Sequence, residues 1–230
     1  MTSLLRQLLF LAAASLAAVP SWELTETETR WLSAATPVLV YAEQARLPLD
    51  VVVQPQNAPG KAPLAMAFVD GRCKLVLSMR GNPQAEAALA SVAAPLQPTV
   101  IEAMAAHELG HCWRHLQGAW HALPAGFSEE QSGPEPDAQQ ARLLREMRET
   151  RREEGFADLV GLAWTLRRHP AQYAQIHAWL EKTRSDEPAY GFHDTRAWVR
   201  LARQPSALPA ADDPFAQVRA LWEQGLLSDE

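Results

Sequence analysis

Two histidines and a glutamate lie within five residues in the segment His107-Glu108-Leu109-Gly110-His111. On a helix, a spacing of four residues places both imidazoles on one face, one turn apart, where they can bind one metal ion. Glu108 lies about 100° around the helix from His107, so it can act on a metal-bound water without being a ligand. This HExxH pattern predicts a zinc site with Glu108 as general acid/base, provided that a third ligand exists.

A second acidic segment, Glu153-Glu154-Gly155-Phe156-Ala157-Asp158, offers the third ligand. Glu154 and Asp158 are one helical turn apart, so one carboxylate can bind zinc while the other hydrogen-bonds a ligand imidazole. The alternative is a solvated, charged helix face, which Arg148, Arg151 and their neighbours certainly form. Asp158 stands among apolar residues, where a carboxylate without a partner would be costly, and this favours the metal site.

Together the two segments resemble the gluzincin peptidases, the family that includes the bacterial heat-shock protease HtpX and the CAAX prenyl proteases. In that family HExxH is followed, on a later helix, by Glu-x-x-Ala-Asp, which Glu154-Gly155-Phe156-Ala157-Asp158 matches. The resemblance implies one zinc ion per chain, held by His107, His111 and Glu154, with Asp158 behind a ligand. It spans roughly Trp31 to Leu201. The chain lacks membrane spans between the motifs, which makes it similar to the small soluble periplasmic members.

The same resemblance implies how a substrate is held. Ala67-Phe68, the Asp70-Gly71 turn and the strand Lys74 to Met79 resemble the family's edge strand. A protein or peptide substrate is therefore expected to bind as an extended strand along Lys74 to Met79 by main-chain hydrogen bonds.

The resemblance also implies two further catalytic residues, His193 and Arg196. His193 falls where family members place a histidine that stabilises the tetrahedral oxyanion, and Arg196 is the nearby arginine. Asp194 replaces the family's usual proline after this histidine. The alternatives are a helix-capping turn for His193 and a surface ion pair for Arg196.

A second histidine frame competes with the first. His111, His115 and His121, with Gly118 between the last two, have the spacing of metzincin ligands. Cys112 stands where that motif requires its catalytic glutamate, so this frame would bind zinc without a general base. The frame that keeps Glu108 is preferred.

Apolar periodicity predicts the elements that position these residues. A helix over Glu26 to Arg46 is interrupted or kinked at Pro37. The Asp-Gly turn between two apolar runs predicts a hairpin, with a further strand before it. We expect an α+β, mostly helical fold in which a small antiparallel sheet flanks the HExxH helix. The other predicted strands and helices are Leu49 to Val53, Leu64 to Val69, Lys74 to Met79, Val100 to Leu116, Leu143 to Leu166, Ala171 to Thr183, Thr195 to Ala202 and Phe215 to Leu226.

Two local signals concern the ends of the HExxH helix. Thr99 and Glu102 fit a capping box at its start, and Gly118 can end it. Residues 118–136, rich in Pro, Gly and acidic residues, predict a long surface loop, a flap over or near the active site.

Composition bounds the partners and the number of domains. The chain has 230 residues, of which 47% are hydrophobic, so one domain over residues 22–230 is expected. The net charge of −6 provides no basic surface, which argues against nucleic acid and anionic membranes as partners.

Residues 1–18 have the pattern of a secretory signal peptide. One basic residue, Arg6, precedes the apolar run Leu8 to Ala18, and cleavage is expected after Ala17 or Ala18. The alternative is an uncleaved anchor, although the run is shorter than the roughly 20 residues of a spanning helix. The sequence predicts an exported protein without a later membrane span, located in the periplasm if the source is a Gram-negative bacterium.

Two cysteines, Cys73 and Cys112, follow the predicted signal. An exported chain with two cysteines is compatible with one disulfide, and the alternative is a pair of buried free thiols. Sequence alone leaves both open, because a bridge requires Cα atoms within bonding distance.

These observations predict a zinc-dependent peptidase that cleaves protein or peptide substrates in the cell envelope. The alternative is a non-catalytic or latent zinc-binding module that acts like a chaperone on envelope proteins. Glu108 argues against that alternative, because a structural zinc needs a fourth protein ligand and no general base.

Overall fold

The computed structural model describes residues 23–54, 62–127 and 137–227. The predicted class is confirmed, since the fold is α+β and mostly helical with a small sheet. The predicted signal peptide at 1–18 and the later part of the predicted flap, 128–136, lie outside the described residues. The elements are α1 (Glu26–Gln44), β1 (Leu49–Val53), β2 (Leu64–Val69), β3 (Arg72–Leu77), α2 (Gln84–Ala87), α3 (Gln97–Leu116), α4 (Ala138–Arg168), α5 (Tyr173–Ser185), α6 (Arg196–Leu201) and α7 (Pro214–Leu226).

The three strands form a mixed sheet in the order β1-β3-β2. The predicted hairpin is confirmed: β2 and β3 are antiparallel, and Asp70 and Gly71 both have positive φ in the turn. The prediction of a purely antiparallel sheet is wrong, because β1 pairs with β3 in parallel, with Leu49 opposite Cys73 and Val53 opposite Leu77. Side-chain alternation sets which face of a strand is buried, but it leaves open which neighbour the strand pairs with.

The strand order also corrects the predicted substrate strand. β3, which covers most of Lys74 to Met79, lies between β1 and β2, so its backbone groups are paired on both sides. An added peptide strand cannot pair with it. In the described part of the chain, the free sheet edge next to the HExxH helix belongs to β2, and α3 packs against β2.

One face of the sheet is fixed to α3. Cys73, Leu75 and Leu77 of β3 are buried against the helices. Cys73 is bonded to Cys112 of α3, and their Cα atoms are 5.7 Å apart. Both cysteines are fully buried, so the disulfide joins the central strand to the HExxH helix inside the core.

Helices α3 and α4 form the largest contact between two elements of the fold, and two glycines allow their close approach. A Cβ atom on Gly110 would lie 3.1 Å from Ala157 Cα, and one on Gly161 would lie 2.9 Å from the Ala103 carbonyl oxygen. A larger side chain at either position would separate the helices. The contact turns the histidine face of α3 toward the acidic face of α4.

The start of α3 differs from the prediction. The capping box is wrong, because a 3-10 turn at Ala94–Leu96 leads directly into the helix and places Thr99 inside its first turn. Thr99 Oγ1 instead donates to Gln172 Oε1 over 2.6 Å, and Glu102 Oε1 accepts from Trp164 Nε1 over 2.7 Å. Both side chains join α3 to the end of α4 and the turn that follows it.

Helix α1 runs without interruption from Glu26 to Gln44 and includes Pro37. Its first turn is stabilised by a capping box that sequence analysis did not identify: Glu28 N–H donates to Thr25 Oγ1, and Thr25 N–H donates to Glu28 Oε2. Helix α4 begins at Ala138, where Asp137 accepts from the Gln140 amide, and ends at Arg168, before Pro170 as predicted.

Among the helices in the described ranges, none combines the length and the apolar character needed to cross a membrane.

Replacing Cys73 and Cys112 together by alanine should lower the free energy of unfolding by about 2–4 kcal/mol, because the bond closes a loop between residues separated by 39 positions. Urea denaturation of the parent and the double variant measures the difference. The parent in reductant is the matched control and should lose a similar amount. Two alkylatable thiols in the unreduced, denatured parent would show that the bond does not form.

Candidate metal centre

Three side chains on α3 and α4 converge in a triangle. His107 Nε2 lies 3.1 Å from His111 Nε2 and 3.4 Å from Glu154 Oε2, and His111 Nε2 lies 3.3 Å from Glu154 Oε1. These are the ligand types of a metal site, and the group can hold one metal ion. The helical spacing of the histidines and the glycine-mediated contact between α3 and α4 together produce this arrangement.

Asp158 fixes the orientation of His107. His107 Nδ1 lies 2.9 Å from Asp158 Oδ1, so the Nδ1–H donates to the carboxylate and Nε2 points into the triangle. Asp158 also accepts two hydrogen bonds of 2.7 Å from the Arg184 guanidinium and one from the Thr195 hydroxyl. Burial alone would raise the pKa of Asp158, but Arg184 and His107 lower it well below its usual value. The carboxylate is therefore ionised.

Glu154 is held in the same network. Its Oε2 accepts from Arg184 Nη2 over 3.2 Å. Burial acts to raise the pKa of Glu154, but the hydrogen bonds and charges of His107 and His111 lower it well below its usual value. Burial likewise acts to lower the pKa of His107, and Asp158 and Glu154 raise it to about 10. The negative charge that favours a proton on His107 equally favours a metal cation.

His111 has a different environment from His107. Its Nδ1 is buried and has no hydrogen-bond partner in the described part of the chain. On one side its ring contacts Trp120 in an edge arrangement, with centroids 5.6 Å apart. The position of His111 is therefore set by packing on α3 and against Trp120.

Glu108 lies beside the triangle and on the lining of an open cleft. Burial raises the pKa of Glu108, and this effect exceeds the lowering by the two imidazoles and by a hydrogen bond from the Met66 backbone amide. A carboxyl group with a raised pKa is suited to both accepting and donating a proton near neutral pH. The sequence-predicted position of Glu108, next to the ligands without being one, agrees with this geometry.

The cleft has a volume of about 760 Å³ and is bounded by β2, α3, α4 and α5. This is within the roughly 300–1,000 Å³ of typical ligand sites. Its larger apolar residues come from two groups of elements: Leu64, Met66, Phe68 and Trp120 from β2 and the segment after α3, and Met104, Leu162, Ile176, Trp179 and Leu180 from α3, α4 and α5.

The other two predicted catalytic residues differ in placement. His193 lines the cleft, with its Nε2 3.8 Å from Glu154 Oε1 and 49% of its side chain exposed. Arg196 is not among the lining residues; its guanidinium binds Asp194 through contacts of 2.6 and 2.8 Å. The structure thus brings His193 to the site and places Arg196 in a neighbouring ion pair.

The metzincin frame is not assembled around a metal. His115 stacks on Phe68, with ring centroids 3.9 Å apart, and His121 Nδ1 pairs with Glu149 over 3.2 Å. His111 alone of that frame belongs to the converging triangle.

Sequence reasoning missed Arg184 and Thr195. Both residues lie outside the two motifs and contact Asp158. Arg184 is in the last turn of α5, and Thr195 directly precedes α6. A basic residue in the last turn of a helix is common at surfaces, so its type and position did not indicate a role. An unpaired aspartate in the apolar run of α4 was the one signal that a cationic partner had to exist.

No protein-family model, no curated protein and no solved structure matches this chain.

Replacing Glu154 by glutamine should lower the affinity for Zn²⁺ by more than about a hundredfold, because the loss of a ligand exceeds the 10–100-fold effect of losing an outer partner. Glu146→Gln, on an exposed position of α4, is the matched control and should bind zinc like the parent. Competition with a chromogenic chelator measures both. Equal affinity of Glu154→Gln and the parent would contradict the ligand set.

Proposed function

We propose that the protein is a zinc-dependent peptidase that hydrolyses peptide bonds of protein or peptide substrates in the cell envelope. The observation that carries the proposal is the convergence of His107, His111 and Glu154 in an open cleft, with Glu108 directly beside them. The sequence resemblance to the gluzincin peptidases supports the same function.

Zinc fits the donor set better than Mg²⁺ or Ca²⁺ does. Two imidazole nitrogens and one carboxylate are typical of catalytic zinc, whereas Mg²⁺ and Ca²⁺ prefer oxygen ligands. Ligand atoms about 2.0–2.1 Å from a tetrahedral ion lie roughly 3.3 Å from one another. The separations of 3.1, 3.3 and 3.4 Å in the triangle are compatible with one face of that tetrahedron. When bound, zinc supplies a Lewis acid that polarises a substrate carbonyl and lowers the pKa of water.

Glu108 performs the proton transfers in this proposal. Its carboxylate takes a proton from the attacking water and returns it to the amine of the leaving group. The raised pKa of Glu108 assists the first step, because it makes the carboxylate a stronger base toward the attacking water. The Met66 amide orients the carboxylate between the metal ligands and β2.

The edge of β2 is the proposed substrate strand, in place of Lys74 to Met79. Ser78 N–H donates to the Pro63 carbonyl, and bonded positions alternate in an antiparallel pair. The backbone groups of Leu64, Met66 and Phe68 therefore point away from β3 and toward the cleft, which these residues also line. The Met66 N–H donates to Glu108, so an extended peptide can add to this edge through the main-chain groups of Leu64 and Phe68 and the Met66 carbonyl.

His193 is the proposed donor to the oxyanion. It lines the cleft on the far side of Glu154 and is half exposed, so it can reach a group bound beside the ligands. Arg196 is left out of the mechanism, because Asp194 binds its Nε and Nη2 donors and Arg196 is not among the residues that line the cleft.

Export rests on the signal-like pattern of residues 1–18. The Cys73–Cys112 disulfide agrees with an oxidising compartment such as the periplasm, because disulfides are rare in reducing cytosol.

Glu108→Gln should reduce peptide hydrolysis by about 10²–10⁴-fold without loss of zinc, because Glu108 transfers protons and does not bind the metal. A digest of an unbiased peptide library by zinc-loaded protein, with zinc content measured in parallel, tests this. Glu146→Gln is again the control. A module that binds zinc without catalysis would cut no peptide in either form, and equal turnover by parent and Glu108→Gln would remove Glu108 from the mechanism.

His193→Ala should lower kcat by about 10²–10³-fold and change KM little, since an oxyanion donor acts mainly in the transition state. The control is His169→Ala, which removes a histidine paired with Glu102, outside the cleft lining. Zinc content should be unchanged in both variants. Loss of zinc from His193→Ala would instead make His193 a ligand, and unaltered kinetics would assign it to a structural turn.

A further inference from the structure

Phe68 and Trp120 form an aromatic wall on one side of the cleft. Their ring centroids are 5.1 Å apart at an interplanar angle of 66°. Phe68 belongs to β2, whereas Trp120 lies in the segment after α3, so the wall joins the free strand edge to the HExxH helix. Both residues line the cleft and are only partly buried. Aromatic surface therefore remains available to a ligand.

Two histidine rings stack on the aromatic wall and fix its position. His115 stacks on Phe68 at 3.9 Å and 12°, and His121 stacks on Trp120 at 5.1 Å and 25°. His121 is itself fixed by Glu149. A preformed wall costs little conformational entropy when it binds a ligand, so contact with it contributes directly to affinity.

The wall lies on a defined side of the metal centre. Along α3, Met104 precedes His107, and His115 follows His111 by one turn. The rings of Trp120 and His111 are in contact, so the aromatic wall lies beyond His111. The lining residue Met104 lies on the opposite side of the two imidazoles, because it precedes His107 on α3. A peptide that crosses the centre therefore meets the aromatic wall on the His111 side of the bond to be cut.

The register of β2 connects the wall to particular substrate positions. Met66 is next to Glu108, and Phe68 is two residues further along the same edge, about 7 Å away. Two residues that lie directly opposite each other in paired strands have their side chains on the same face of the sheet. The side chain of Phe68 faces α3, where it contacts His115. A substrate side chain within two residues of the cleaved bond is thus directed onto Phe68 and Trp120.

We propose that this wall is a subsite that selects a large aromatic side chain of the substrate, with Trp120 as the specificity-determining residue. The inference rests on the proposed peptidase function and names its substrate class: extended peptides that expose an aromatic residue within two positions of the cleaved bond, on the His111 side. Edge and stacked contacts between aromatic rings stabilise a pair beyond simple area burial, which favours aromatic over aliphatic side chains.

The test compares two peptides that differ only by Phe or Ala at the selected position, identified from the parent's cleavage products. In Trp120→Ala, the ratio of kcat/KM for the Phe peptide to that for the Ala peptide should fall by about tenfold or more, because the contact area for the ring is lost. Trp120→Phe should retain most of the ratio. Trp179→Ala, the matched control at an aromatic lining residue of α5, should keep the preference at this position. An unchanged ratio in Trp120→Ala would overturn the proposal.

A binding measurement separates this proposal from the proposed function. Zinc-loaded Glu108→Gln, which retains the aromatic wall, is titrated into the fluorescein-labelled Phe and Ala peptides. If the parent cuts no peptide, a labelled library of matched Phe and Ala peptides takes their place. Fluorescence anisotropy should show about tenfold tighter binding of Phe peptides, and Glu108→Gln/Trp120→Ala should lose that difference. Tighter binding of Phe peptides together with no cleavage by the parent would support the subsite and contradict the peptidase function. Equal binding of Phe and Ala peptides would overturn the subsite. If Trp120→Ala unfolds, Phe68→Leu replaces it in both arms, with the same expected losses.

Discussion

The candidate site depends on the close contact between α3 and α4. Neither helix carries a complete ligand set, since α3 supplies two imidazoles and α4 supplies the carboxylate. The ligand atoms meet at 3.1–3.4 Å only because Gly110 and Gly161 let the two backbones approach. Gly110 in the HExxH motif and Gly161, three residues after Asp158, are therefore required for the candidate metal centre, as the ligands are. A change in helix separation of 1 Å would be large compared with the tolerance of a metal–ligand bond.

A second constraint is the charge of the buried network. Glu154 and Asp158 are both ionised, and Arg184 contacts both of them. Burying two carboxylates so close together would be costly without this guanidinium, because a charge removed from water needs a compensating partner. Arg184 thus permits the negative charge that attracts a cation, and Asp158 directs the imidazole that receives it. Thr195 completes the set by donating its hydroxyl to Asp158.

The sequence predicted the parts of the site that lie within one helix. The spacing of His107, His111, Glu154 and Asp158 is fixed by helical periodicity, so the shared faces follow directly from residue numbers. The junction between the helices was inferred from the cost of an unpartnered Asp158 in an apolar run and from the family resemblance, because helical periodicity does not specify contacts between helices. Residues that arrive from α5 and from the segment before α6 were not predicted, because tertiary packing decides which distant side chain meets Asp158.

In the rest of the fold, the local sequence signals were correct about the type of each predicted element, but they predicted less well which strands pair and which side chains meet. The Asp-Gly turn predicted the hairpin, but nothing in the alternation of β1 specified a parallel partner, and the central position of β3 followed from that pairing. Thr99 and Glu102 had the residue types of a capping box, and stronger tertiary partners engaged both side chains. Trp120 lies in a segment of turn-forming residues without periodicity, so its place beside His111 had no signal in the sequence.

The disulfide has a consequence for how a metal ion would reach the candidate centre. Cys112 directly follows His111, and thiolates are among the strongest ligands for zinc and for softer metals. In a reduced and unfolded chain, Cys73 and Cys112 would compete with Glu154 for the ion and trap it in non-native arrangements. Oxidation removes both competitors at once and buries their sulfur atoms. A chain that is oxidised before it meets a metal ion therefore avoids binding it through its cysteines, and the order of the two events determines how much of the protein presents the candidate centre to the ion.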